Sequence, residues 1–164
     1  MELVDVLPVE AWKELAEDIH KRFGINGGVN DNESFLVAAS SQCANEICPK
    51  VREGEESRAI CVAVQQYLAK LAREKKEPAV AECDVGLTKF VVPIFYKDEF
   101  LGTAGGCGIL AEDGEIDTFY VAKVLDLGEE KVEKWIGGVK KFSQAEFETV
   151  TAYVKKRLKQ ILSK

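Results

Sequence analysis

Two apolar runs held apart by a short, mostly polar turn limit most strongly what this chain can become. Thr88–Ile94 and Phe100–Ala104 flank Tyr96-Lys97-Asp98-Glu99. Runs rich in β-branched and aromatic residues, joined by a short turn built around an aspartate, predict an antiparallel hairpin. Ala79–Cys83 and Ser34–Ala39 read as further strands. Elsewhere the apolar period changes to that of a helix. Trp12, Leu15, Ala16, Ile19 and Phe23 share one face of a helix that Pro8 opens and Gly24 ends. Ser57–Glu74 predicts a second, with Ile60, Val64, Tyr67, Leu68 and Leu71 as its buried stripe. Asp117 caps a third, Glu129–Ile136 forms a fourth, and Ser143-Gln144-Ala145-Glu146 is a capping box. That box starts a long helix with Phe147, Val150, Val154, Leu158 and Ile161 along one side. Gly27–Asn32 reads as a turn, Ser41–Glu56 as irregular or briefly helical, and Gly105-Gly106-Cys107-Gly108 as an interruption or bulge at the end of the hairpin. Helices gathered around an antiparallel sheet define an α+β fold, the class that includes the PAS and GAF sensory folds.

The 164 residues suit one domain, taken as 1–164, which can bury roughly 70% of its unfolded surface without a metal or disulfide. No run approaches the ~20 apolar residues that span a bilayer. The start, Met1-Glu2-Leu3-Val4-Asp5, is acidic where a signal peptide is basic, so a cytoplasmic protein without membrane contact is expected. A net charge of −6 argues against direct nucleic-acid binding. The basic cluster Lys155-Lys156-Arg157 with Lys159 and Lys164 lies where cations complement a helix dipole.

Hydrolytic chemistry finds little support. His20 is the one histidine, so any Ser-His-Asp or Cys-His arrangement depends on it, and no nucleophile elbow accompanies it. No catalytic residue is assigned. Gly102–Gly108 lacks the lysine and hydroxyl residue of a P-loop and the spacing of a dinucleotide fingerprint. It fits backbone that must come close to a strand or a ligand.

The compositional oddity is five cysteines: Cys43, Cys48, Cys61, Cys83 and Cys107. An odd number without an export signal argues against a disulfide framework. The spacing is neither paired C-x2-C nor a C-x-x-C redox pair, which leaves buried thiols, a redox sensor or a metal site. Thiolates are soft donors suited to zinc or an iron–sulfur cluster.

The segment Ala-Glu-Cys-Asp-Val-Gly-Leu-Thr-Lys-Phe-Val-Val-Pro-Ile, then Phe-Tyr-Lys-Asp-Glu-Phe-Leu-Gly, then Gly-Gly-Cys-Gly, resembles the PocR sensory domain family. That family's pattern is Cys-His-x-Gly-Leu, an apolar strand ending in Pro-Ile, a charged turn, a Leu-Gly or Ile-Gly strand and Gly-Gln. Cys48, Cys61 and Cys83 match family cysteines, and Gly86, Leu87, Pro93, Ile94 and Gly102 match its strand-turn-strand frame. Asp84 stands where histidine is common, Cys107 where glutamine is common, and Cys43 is an addition. The resemblance runs from about Pro8 to Leu158.

The resemblance implies a PAS/GAF-like antiparallel sheet flanked by helices, and a sensory domain that binds a small organic ligand such as a diol. Such domains are usually joined to a transcription-factor or histidine-kinase output module. With none in this chain, the expected signal passes to a separate kinase or transcription regulator. Phe90, Val92, Ile94, Phe100, Ala104 and Cys107 are candidate lining residues, with Phe90, Ile94, Phe100 and Cys107 foremost, although strand alternation admits only some of them. Cys48, Cys61 and Cys83, completed by Cys107 or Cys43, form the candidate set for zinc or an iron–sulfur centre. The rival reading is a redox-sensing metalloprotein. An enzyme with a cysteine nucleophile ranks third and needs His20 beside a thiol. The final helix packs on its own sheet by default, with a homodimer seam as the alternative.

Overall fold

A computed structural model describes residues 1–163, which leaves Lys164 of the basic cluster outside the described residues. The chain opens with a single helical turn, α1 (Leu3–Val6), and continues into α2 (Val9–Phe23). Trp12 is fully buried, and its indole N–H donates to the Leu3 carbonyl at 3.1 Å, which ties α1 to α2. Gly24 ends α2 in the left-handed region at φ 69°. Then come β1 (Asn26–Asp31), β2 (Leu36–Ala39), α3 (Ile47–Glu53) and α4 (Arg58–Lys75). Next are β3 (Ala79–Glu82), β4 (Thr88–Tyr96) and β5 (Glu99–Ala111). The chain closes with α5 (Thr118–Leu125), α6 (Glu129–Ile136), β6 (Lys140–Phe142) and α7 (Gln144–Leu162).

The sheet runs β2-β1-β5-β4-β3 with every neighbour on that path antiparallel. The hairpin closes through Lys97 and Asp98, both at positive φ (52° and 66°), as a tight two-residue connection requires. β1 pairs with β5 as far as Cys107, and β6 then pairs in parallel with Ile109–Ala111. The α+β class is therefore observed, with one short parallel strand added.

Two local expectations are corrected, at Gly27–Asn32 and at Tyr67. The Gly27–Asn32 stretch is not a turn; most of it is strand β1 in the middle of the sheet. A side chain at Gly27 would put a Cβ 2.1 Å from the Ala16 carbonyl oxygen, so glycine lets α2 cross the strand backbone to backbone. The Gly105–Gly108 stretch does carry the expected bulge, a register shift against Thr88–Phe90, and β5 resumes beyond it to Ala111. Tyr67 is exposed rather than part of the buried stripe of α4.

The two faces of the sheet differ in what they carry. On one face α2 and α7 enclose the main core, in which Trp12, Leu15 and Ile19 meet Phe90, Val92, Ile94, Val150 and Val154. The stripe of α7 is spent on this packing, and the Ser143–Glu146 capping box is formed in both directions. On the other face α4 lies over β3 and β4, where Val64, Leu68 and Ala72 meet Val91. A smaller core joins α3, the β3–β4 turn, α5 and α6 through Ile47, Val51, Val85, Leu87, Val121 and Val132.

Candidate ligand cavity and thiol cluster

Alternation along three strands sends small and polar side chains to the α4 face: Asn26, Gly28 and Asn30 of β1, Lys89 and Val91 of β4, and Thr103, Gly105 and Cys107 of β5. Glycines leave the sheet without side-chain bulk there, so the space beneath the start of α4 is not filled. The result is a cavity of about 330 Å³. Arg52 of α3 and Arg58, Cys61, Val62 and Gln65 of α4 form its other wall, and Phe35 and Leu36 its rim. The spacing of Arg58, Cys61, Val62 and Gln65 marks one helix face.

Gln65 is almost wholly buried, at 3% exposure. Its amide nitrogen donates to the Thr103 hydroxyl at 2.9 Å, and its Oε1 has no partner. Asn26 is held by two contacts: Nδ2 donates to Cys107 Sγ at 3.7 Å, and Oδ1 accepts from the Ala44 N–H at 2.6 Å. Asn30 Nδ2 donates to the Ser34 carbonyl at 3.2 Å and braces the β1–β2 connection.

A second, smaller pocket of about 60 Å³ adjoins the first and shares Arg52, Cys61, Lys89 and Cys107 with it. Cys48, Cys61, Cys83 and Cys107 all line this pocket, arriving from α3, α4, the β3–β4 turn and β5. Asn45 Oδ1 accepts from the N–H groups of Ile47 and Cys48, each at 2.9 Å, and so fixes the start of α3 and the Cys48 backbone. At Cys83 the chain turns back through Gly86, whose φ is 101° and whose Cβ would lie 2.5 Å from the Glu115 carbonyl oxygen. The turn is closed by the Gly86 N–H, which donates to the Cys83 carbonyl at 2.9 Å, and by the Cys83 N–H, which donates to the Leu87 carbonyl at 2.8 Å. The Cys-x-x-Gly-Leu pattern thus has a physical basis: glycine permits the tight turn that sets Cys83 at the pocket wall.

Burial pushes the Cys48 thiol up to about 12, with Cys107 nearby adding to the effect. Burial also raises the Cys61 thiol, again helped by Cys107, and it raises Cys83 against the opposing pull of the backbone N–H groups. These thiols therefore keep their protons at neutral pH. The unfolded chain releases them first as pH rises, so their contribution is complete below pH 9.0 and is lost on the way up to about 12 at Cys48. The urea midpoint is expected to fall as pH climbs above 9.0, and less steeply in Cys48→Ala. Equal slopes in the two proteins would show that Cys48 titrates no differently in the folded and unfolded chains.

The other expected site residues lie elsewhere. Phe90 and Ile94 do not line the cavity: both are fully buried in the α2–α7 core, as are Val92 and Ala104. The alternation argument chose the face with the bulk, whereas the cavity occupies the face without it. Phe100 is on the α4 side but at the far end of the helix, with the Arg73 guanidinium 5.4 Å from its ring centroid. Cys43 is exposed and outside the small pocket; its sulfur accepts from Arg52 at 3.7 Å. Among the described residues no three or more His, Cys, Asp or Glu side chains are grouped closely enough to hold one metal ion. His20 Nδ1 is 2.8 Å from the Ile25 carbonyl oxygen, and its helix packs on the face away from the thiols. Sequence reasoning missed Arg52, Arg58, Gln65, Lys89 and Thr103. A glutamine in the apolar stripe of α4 and a lysine inside an apolar strand were the available signals.

The sheet with α4 over one face encloses a mostly apolar cavity, with a few polar and cationic groups, that has room for a small molecule. The family model described as the sensory domain found in PocR matches residues 5–164. The chain belongs to the PocR sensory-domain family, and its role is that of a sensor of a small molecule. No curated protein matches the sequence. Among the described residues no helix is long and apolar enough to cross a membrane.

Proposed function

We propose that the cavity between α4 and the sheet is the sensory site, and that a small organic molecule held there is the signal. One observation carries the reading: the buried Gln65 amide faces this cavity with a hydrogen-bonding atom left over. Buried polar atoms without partners are costly, and a ligand that completes the pair recovers that cost. The volume of about 330 Å³ is at the lower end for ligand pockets, which favours molecules of a few carbons. A ligand at a hundred times its Kd should stabilise the fold by about 2.7 kcal/mol, or roughly 5–10 °C in Tm. Thermal unfolding across short alcohols, diols, acids and hydroxy acids tests this. A screen in which no compound raises Tm would count against the cavity as a sensory site. Occupancy would reach α3 and α4 first, so their outer faces are where a partner kinase or transcription regulator would read the signal.

A second reading is favoured by the four thiols that line the small pocket. We infer that Cys48, Cys61, Cys83 and Cys107, with Cys107 in place of Cys43, are the donor set for an iron–sulfur or zinc centre. Arg52 and Lys89 line the same pocket and offset the negative charge of such a centre. Anaerobically purified protein is expected to show visible absorption and bound metal. Cys48→Ser, Cys61→Ser and Cys83→Ser should each lose both, while Cys43→Ser keeps them. A colourless, metal-free preparation would rule this reading out.

A further inference from the structure

We propose that the cavity takes a small hydroxycarboxylate, an organic anion bearing a hydroxyl group, in preference to a neutral diol. This rests on the cavity being the sensory site and adds the chemical class of its ligand.

The charge of the lining is the first ground. Arg52, Arg58 and Lys89 line the cavity, and no aspartate or glutamate does. The protein as a whole has the opposite balance, with 28 acidic against 22 basic residues. Among the described residues none of these three cations enters an ion pair. Arg52 finds only sulfur partners, Cys43 at 3.7 Å and Cys107 at 3.9 Å. Three cations on one concave surface without a counter-ion raise the local potential for an anion. A guanidinium fork matches a carboxylate's two oxygens, and such hydrogen bonds are stronger than neutral ones.

The second ground is Gln65, which is independent of charge. With its nitrogen on the Thr103 hydroxyl, its oxygen is left without a donor. If the amide is turned over, the oxygen meets Thr103 and the nitrogen is left without an acceptor. A hydroxyl group donates and accepts, so it satisfies either arrangement, whereas a bare carboxylate satisfies only one. Arg52, Arg58 and Lys89 have long side chains that line the same cavity as Gln65, so the carboxylate would meet a cation while the neighbouring hydroxyl meets the amide.

Matched sets of small molecules isolate each group: glycolate, ethylene glycol and acetate, then lactate, propylene glycol and propionate. Tm shifts and calorimetric titrations of the metal-free full chain, at ionic strength held constant with sodium chloride, provide the readout. The hydroxy acid of a set should bind at least about tenfold more tightly than its diol and its plain acid. Arg58→Gln, at an exposed position, should remove most of the preference for the acid over the diol while the fold is retained. Gln65→Leu should remove the preference for glycolate over acetate, or lactate over propionate. Diols that bind as tightly as hydroxy acids, or acid binding unaffected by Arg58→Gln, would overturn the anion proposal and leave the cavity as a sensory site. No binding by any member of either set would overturn both.

Discussion

Gly28→Leu is expected to abolish ligand-induced stabilisation while leaving the protein folded. Gly28 lies on the cavity side of β1, between Asn26 and Asn30. A Cβ added there meets only the Ala38 carbonyl oxygen at 3.9 Å and Leu36 Cδ1 at 4.0 Å, which are ordinary contacts. Space is therefore available at Gly28, unlike Gly27, and a leucine would extend into the cavity. Replacing a strand glycine with a larger apolar residue does not weaken a sheet when the space is free. The ligand would then meet overpacking of about 1–3 kcal/mol, a loss of roughly ten- to hundredfold in affinity. Titration of wild type and variant with a ligand that stabilises the wild type gives the comparison. Unchanged affinity in a folded Gly28→Leu protein would move the binding site away from β1.

Phe90→Ala should have the largest effect on stability, at about 3–5 kcal/mol. Phe90 is fully buried among the α2 and α7 side chains, and its neighbour Gly106 has no side chain to relax into the space. Urea denaturation measures the loss. A loss below about 1 kcal/mol would mean that Phe90 stands at the edge of a roomy site rather than in a packed core. Together the two substitutions separate the faces of the sheet: one alters binding without stability, the other stability first.

Much of this architecture could be read from local sequence. The helices at Val9–Phe23, Glu129–Ile136 and Gln144–Leu162 follow apolar spacing and caps, and the Lys97-Asp98 hairpin follows its turn chemistry. β1 did not show itself, because Asn-Gly-Gly-Val-Asn-Asp has the composition of a turn. Its strand character comes from β5 and β2 on either side and from an α2 backbone that only glycine can accommodate. β6 is three residues long and exists only because β5 extends beyond β1.

The site divides in the same way. Residue chemistry marked the cysteines, and four of them do line one pocket. Periodicity alone cannot say which face of a strand is core, because both alternating sets of β4 contain apolar residues. Phe90, Val92 and Ile94 were the bulkier set, and bulk belongs to the core. The cavity formed where the sequence supplies Gly28, Gly105, Thr103 and Lys89, residues that make no apolar pattern. The polar lining from α3 and α4 became visible only when those helices were placed on the sheet.

The most direct test of the sensory cavity is an NMR titration of the 15N-labelled full chain with lactate and with propylene glycol. Amide shifts should gather at Gly28, Gln65, Thr103, Gly105 and Cys107, around the cavity. Shifts that gather instead at the groove formed by Asp18, Tyr153 and Arg157, or that fail to appear with either compound, would contradict the account.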